Sequence, residues 1–553
     1  MIGAAGRGAA RRTPPWALAA VLGVAYLLLD PRTSDLAAQE YRAGLWAQSG
    51  FLLWDNGWYS GHHVPAYSLL FPPLGALLGP QVVGALSSVG GTWAFGRLTG
   101  GASRLAGAWC ALGFTGLLVA GRLTFALGAA IGLGALAVAR AAGAGDNFGG
   151  SSSSAPVSGT RGLEPPRLGR AKVEGVGQGR GVWGGAVALA ALSSVASPVA
   201  GAFVALAAAA WWLGDRSARR VRTVVLAGAA VAPAAALAAL FPEGGTFPFV
   251  LSSFAPTFAV SLLALALAWR GPPVLRAGIA LSIALLLVAW ALPNPMGGNA
   301  ARLGATFAGP ALAAALLPAG RWRALALAAP LLLWWQLAAP IDDWRASARD
   351  PTVRERSYAG LERFLQGRPG PPFRVEVPFT DNHWEAAHLA GGADGFPLAR
   401  GWERQLDRKV NGLFYDGEPL TPTRYRDWLD DNAVRFVALA DAPVDYSAAA
   451  EAQLVRDGLP WLRRVYADAT WTVWEVRDAA PMGVSALTAD GFTTPGAGPV
   501  RIRWSPYFEV VSGRGCVRRT ADDHVMTDAA VTVRARLSAG GALRREEHCS
   551  TRG

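Results

Sequence analysis

The chain has 553 residues, of which 52% are hydrophobic and only 16% charged, a balance that excludes an ordinary water-soluble globule and fits a chain that has lipid as its solvent. The net charge of +12 is uneven: residues 1–340 hold 23 basic and 9 acidic side chains, residues 341–553 hold 28 and 30. The excess lies in the apolar half without forming a basic face or arm, which excludes a nucleic-acid footprint.

In chain order, a basic N-terminus (Arg7, Arg11, Arg12) precedes the apolar run Trp16 to Leu29, which ends without a small-residue cleavage site and reads as a signal anchor. Apolar segments follow at 67–98 (interrupted by Pro72, Pro73 and Pro80), 104–120, 122–141, 182–197, 198–213, 223–241, 254–269, 274–292, 301–318 and 324–340. Together they predict a polytopic α-helical membrane domain over 1–340 with about eleven spans. With the N-terminus cytoplasmic, 19 of the 23 basic residues of this half fall in cytoplasmic segments, as the positive-inside rule requires, and residue 341 onward lies outside the plasma membrane. The Gly/Ser-rich stretch 142–181 reads as a disordered cytoplasmic loop. Its glycines lack the spacing, and the preceding strand, of a dinucleotide fingerprint.

Beyond Pro340 the pattern becomes that of a soluble, extracytoplasmic α/β layer over 341–480. Phe373 to Phe379, Val434 to Ala440 and Trp471 to Val476 read as strands, Thr423 to Asn432 and Ser447 to Asp457 as helices. From 481 to 553 short β runs among glycines predict a terminal β-sandwich-like module. Cys110 sits in an apolar run and reads as a small hydrophobe. Cys516 and Cys549 fall in the outer tail, where an oxidising compartment favours a bridge between them.

The first outer loop, 30–65, is the most polar and aromatic part of the membrane half and is longer than a connector requires. It holds Asp35, Glu40, Arg42, Trp46, Trp54, Asp55, Trp58, Tyr59, His62 and His63. Only four basic residues of this half lie on the outer side, Arg32, Arg42, Arg122 and Arg302. Asp35 soon after the first helix, then Gly50-Phe-Leu-Leu-Trp-Asp-Asn-Gly-Trp-Tyr-Ser-Gly-His-His63 and Tyr67-Ser-Leu-Leu-Phe-Pro-Pro-Leu74, resembles the opening of GT-C superfamily glycosyltransferases, with the actinobacterial arabinosyl- and mannosyltransferase branch nearest in style. These multi-span enzymes take a sugar from a polyprenyl-phosphate donor on the outer face. The resemblance implies transfer to a cell-envelope glycan or glycolipid acceptor, and it leaves a divalent cation open as cofactor. It also departs from the family pattern, which pairs two acidic residues in this loop: Asp35 has no acidic neighbour before Glu40.

Such a transfer needs a base for the acceptor hydroxyl and cations for the leaving phosphate. Asp35 is the candidate base, against the plainer role of capping a helix from Leu36. Arg302, Arg122 and Arg42 are the candidate phosphate forks, against headgroup snorkelling. Arg302 follows the Gly-rich Asn294 to Asn299, whose amides are candidate anion donors. Glu40, Asp55, His62 and His63 are candidate substrate or metal contacts. His383 and His388 flank Glu385, but a spacing of five sets them roughly 140° apart on a helix and gives no zinc pair. Trp402, Phe414, Tyr415, Tyr425 and Trp428 are either a glycan-stacking surface or a core. The rival functions are a lipid-linked-substrate transporter or flippase, and a non-catalytic membrane scaffold with a glycan-binding outer domain.

Overall fold

The computed structural model describes residues 13–143, 174–216, 220–391, 395–538 and 546–550. The basic N-terminal residues, and residues 144–173 of the stretch expected to be disordered, lie outside them.

Thirteen helices make the first half: α1 (Pro15–Leu29), α2 (Ser34–Ser49), α3 (Phe71–Leu78), α4 (Pro80–Leu98), α5 (Arg104–Val119), α6 (Leu123–Ala141), α7 (Glu174–Ala196), α8 (Pro198–Gly214), α9 (Arg220–Leu240), α10 (Leu251–Ala268), α11 (Pro273–Ala291), α12 (Ala301–Leu316) and α13 (Trp322–Arg349). Five of them, α6, α9, α10, α11 and α13, are long and apolar enough to cross a membrane, or up to seven spans if each of two bent pairs counts as one. Three shorter apolar helices lie at Arg104–Val119, Gly181–Ala196 and Pro198–Gly214. Proline in the first turn of α1, α4, α8 and α11 starts helices at the position where its missing N–H costs nothing. Large apolar side chains such as Val221, Leu327 and Leu28 stay exposed, as expected of faces that meet lipid. Inside, Trp109, Phe114, Phe125, Phe203 and Leu312 join one core, and Trp109 Nε1 donates to Gln336 Oε1 at 2.9 Å so that neither polar group is left unpaired.

Three sequence boundaries shift: the stretch 142–181, expected to be disordered, gives way to helix α7 at Glu174. The loop 30–65 contains the sixteen-residue helix α2, which turns 84° from α1. The apolar stretch 67–98 breaks at Gly79, whose φ of +85° sets α4 at 110° to α3.

The C-terminal region carries β-sheet. A four-stranded mixed sheet of β3 (Arg374–Glu376), β4 (Val434–Ala440), β5 (Leu462–Ala467) and β6 (Trp471–Val476) has the order β3-β4-β6-β5, with β3 parallel to β4 and the other pairs antiparallel. The run expected from Phe373 to Phe379 shortens to β3 because Pro378 offers no ladder N–H. β5 escapes the sequence pattern because, as an edge strand, it is mostly exposed and shows no apolar alternation. Two further antiparallel four-stranded sheets follow between Ala486 and Cys549, and Phe492, Val500, Ile502, Phe508, Val517, Val525 and Val533 from both form one core. Cys516 and Cys549 face each other across a strand pair there and are joined as a disulfide.

The segment between α1 and α3 binds these parts together. A two-stranded hairpin, β1 (Trp54–Asp55) with β2 (His62–His63), sends Trp54 into the core of the last two sheets and Trp58 and Tyr59 into the core of the mixed sheet. Backbone bonds from Asn56 to Ala489, from Leu398 to Gly57 and from Arg503 to Ser60 fix it in place.

Candidate functional site

Asp35 lies in the first turn of α2. The N-cap of that helix is Thr33, whose hydroxyl donates to Val119 O at 2.7 Å and makes no cap. The carboxylate of Asp35 is turned instead toward two arginines. Arg122 Nε stands 3.5 Å and Arg302 Nη2 3.9 Å from Asp35 Oδ2. A fourth member is Asp343 on α13, with Oδ2 3.9 Å from Arg122 Nη2. All four side chains are half-buried, between 20% and 35% exposed.

The backbone explains why they meet. Gly121 has φ +69°, and a Cβ there would lie 2.4 Å from the Leu36 amide nitrogen. The α5–α6 link therefore sits directly on the start of α2 and delivers Arg122 beside Asp35. Arg302 opens the first turn of α12 and is steadied over the Phe125 ring, 5.8 Å from its centroid. α13 has 28 residues, about 42 Å at helical rise, against a hydrocarbon core of about 30 Å. Its last turns, with Asp342 and Asp343, project past the apolar run ending at Pro340.

Arg42, Glu40 and the histidine segment fall elsewhere. Arg42 is buried, ion-paired with Glu403 of the C-terminal region, and held over Tyr67 at 4.1 Å and Trp58 at 5.8 Å. It ties α2 to the C-terminal region and is no free fork. Glu40 is half-buried farther along α2, where Arg32 and Asp30 are its charged neighbours. Asp55 is buried and accepts from Tyr41 Oη at 2.8 Å and the Gly57 amide at 2.9 Å, with His62 Nδ1 at 3.8 Å. His63 is clamped by Glu243 at 2.6 Å and Ser505 Oγ at 3.0 Å. Burial would raise the Glu243 carboxyl, but the hydrogen bond from His63 and the charge of Arg503 hold it well below the usual range. Asp55, His62 and His63 are thus internal parts of the seam, with partners other than those of Asp35.

The Gly-rich loop before Arg302 also differs from expectation. The amides of Met296 and Gly297 donate to Asn294 Oδ1 at 2.9 and 2.7 Å, and that of Asn299 to Met296 O. They are committed within the loop. In the C-terminal region, Tyr425 and Trp428 are buried, with Phe414 packed beside them, so these rings form core and no stacking surface. His383 is buried against Trp402 at 3.7 Å, and its Nε2 lies 3.5 Å from Asp445 Oδ2. The three-membered set of metal-ligand types among the described residues is Cys516, Glu547 and Cys549, and its sulfurs are already bonded to each other.

Asp343 was not singled out from sequence. The signal was there in the acidic pair Asp342-Asp343 directly after the last apolar run.

An almost wholly apolar cavity of about 200 Å³ is lined by Leu303, Gly304 and Phe307 of α12, Ile279 of α11 and Phe203 of α8, and extends to Leu98 at the end of α4 and Trp211 at the end of α8. It begins one residue beyond Arg302 and follows α12 as far as Ala311, about 12 Å along the helix.

Apolar helices of membrane-spanning length, a β-bearing C-terminal region docked on them and a carboxylate–arginine cluster at the join define a membrane protein with a polar site at one end of its helices. No family model matches the sequence and no curated relative matches it. Among solved structures, the chain is similar to ArnT from Cupriavidus metallidurans bound to undecaprenyl phosphate, at 15% identity and TM-score 0.44 over 84% of this chain and 98% of that one. It is also similar to the oligosaccharyltransferase from Archaeoglobus fulgidus tethered with an acceptor peptide, at 12% identity and TM-score 0.44 over 77% and 68%. The archaeal oligosaccharyltransferase AglB from Archaeoglobus fulgidus, in complex with an inhibitory peptide and a dolichol-phosphate, aligns at 11% identity and TM-score 0.43 over 77% and 69%.

Proposed function

We propose that this chain is an outer-face glycosyltransferase of GT-C type that takes a sugar from a polyprenyl-phosphate donor and passes it to a cell-envelope glycan or glycolipid. The observation that carries the reading is the convergence of Asp35, Arg122 and Arg302 from three separate elements, with an apolar cavity starting at Leu303. A polyprenyl phosphate is an anion on a long apolar chain, and this arrangement offers cations at one end and a dry slot below them.

In this reading α1 and α4 to α13 are eleven crossings, the N-terminus is cytoplasmic, and the C-terminal region is extracytoplasmic and presents the acceptor. Asp35 is the base that removes the acceptor hydroxyl's proton as the sugar's anomeric carbon leaves the phosphate. Arg122 and Arg302 hold that phosphate while its charge grows, a role suited to planar forks in a partly dehydrated site. The transporter reading gains no support from the charges, since this cluster gathers at one end of the helices and not at mid-membrane. The scaffold reading has one observation in its favour: the four side chains already pair with one another.

Transfer measured in membranes containing the full chain tests the proposal. Asp35→Asn should lower transfer by about 10²–10⁴-fold, the typical worth of a general base, with expression and donor binding retained. Wild-type transfer rates in that variant would remove Asp35 as the base, and no transfer by the wild type itself would favour the scaffold.

A further inference from the structure

We propose that Asp343 is a positioning residue of this site, a built-in counter-ion that holds one branch of the Arg122 fork until the donor's phosphate displaces it. The inference rests on the transferase reading above and adds to it a residue that the sequence motif does not contain.

The geometry of the fork is the starting point. Arg122 is shared between two carboxylates, with Nε 3.5 Å from Asp35 and Nη2 3.9 Å from Asp343. Both separations exceed hydrogen-bond length, and the Nε–H of Arg122 is buried without a hydrogen-bond partner. A buried donor left unmade is costly, whereas a phosphate oxygen can come to about 2.8 Å of a guanidinium nitrogen. Arg122 is therefore held near its neighbours but not satisfied by them.

Charge counting then decides which neighbour yields. Arg122 and Arg302 against Asp35 and Asp343 sum to zero, so a phosphodiester adds one uncompensated negative charge. Asp35 keeps a second partner, Arg302, at 3.9 Å. Asp343 has an ion pair with Arg122 alone among the described residues. The like charges of Asp35, Asp342 on its own helix and Asp381 of the outer domain also act on it. Asp343 is the weakest-held anion in the cluster and the one an incoming phosphate would replace. It is carried on α13, which runs from the membrane half into the outer domain. There Asp350, just past its end, accepts from Asn382 Nδ2 at 2.9 Å.

A residue that merely ties α13 to the α5–α6 link would behave differently from a competing anion. The test is binding of undecaprenyl phosphate to the purified full-length chain in nanodiscs, followed by native mass spectrometry, alongside donor KM and kcat. If Asp343 competes with phosphate, Asp343→Asn should bind the lipid about 5–20-fold more tightly, within the usual range of coupling between two sites. Donor KM should fall by a larger factor than kcat changes. Asp343→Glu, which restores the charge, should return affinity to that of the wild type. Asp343→Ser serves if the amide variant does not fold. Affinity equal to or weaker than wild type in both neutral variants would overturn the counter-ion role while leaving the transferase reading in place. Failure of the wild type itself to bind undecaprenyl phosphate would overturn that reading and this inference together.

Discussion

Asp35 and His63 belong to one polar segment between the first two apolar runs, yet they end in opposite surroundings. Asp35 is 33% exposed and faces two arginines at 3.5 and 3.9 Å, beyond hydrogen-bond contact. His63 is 7% exposed and has a partner on each ring nitrogen, Glu243 and Ser505. The second half of the segment, although it carries more residue types associated with chemistry, is used up in joining three cores. The first half keeps charge unspent. Buried polar groups are normally fully partnered, so loosely held charge is the better pointer to a ligand than density of histidine and tryptophan.

Substitutions in the second half should therefore act on stability and those in the first half on binding and transfer. The largest stability effect is expected at Trp58, which is fully buried and stacked on Tyr41 at 4.1 Å. Trp58→Ala should cost about 3–5 kcal/mol, as for other buried Trp truncations. Limited proteolysis should show the C-terminal region loosened from the helices. If the variant keeps its unfolding temperature but loses transfer, the division between the two halves is wrong.

His63→Ala should cost about 3 kcal/mol, because it leaves the buried Glu243 without its closest partner. The readout is the unfolding midpoint of the purified chain. Undecaprenyl phosphate binding measured below that midpoint should match the wild type. Weaker lipid binding by the folded variant would return His63 to the site.

A pH dependence sharpens the contrast with the interior of the C-terminal region. Glu385 is buried and accepts from Thr380 Oγ1 at 2.6 Å, and burial pushes its carboxyl up to about 8. Its pKa in the unfolded chain is about 4.3, so the folded state favours the protonated form. Its contribution to stability is complete below pH of about 4 and is lost as pH rises through about 8. Stability of the wild type should decline across that window, and Glu385→Gln should flatten the decline. An unchanged slope would assign the pH dependence to other groups.

The C-terminal strands β4 and β6 were legible in the sequence because their residues are strongly β-forming and bounded by turns. Asp35, Arg122 and Arg302, which the structure brings together, stand out in the sequence because ionisable residues are sparse beside the apolar runs. The partition of the loop was not legible, because Asp55, His62 and His63 find their partners in Tyr41, Glu243 and Ser505 at long range, and no local pattern announces such contacts. Asp343 was hidden for a related reason. It stands beside Arg122 only because α13 continues past the apolar run and Gly121 lets a link rest on α2.

The central claim is that Arg122 and Arg302 together form a lipid-phosphate site. It is tested most directly by titrating undecaprenyl phosphate into nanodiscs carrying the wild type, Arg122→Ala, Arg302→Ala and the double variant. The account predicts loss of about 10-fold or more in affinity for each single variant, the scale of one charge-assisted hydrogen bond, and no measurable binding by the double one, with unfolding temperatures little changed. Wild-type affinity in the double variant would contradict it.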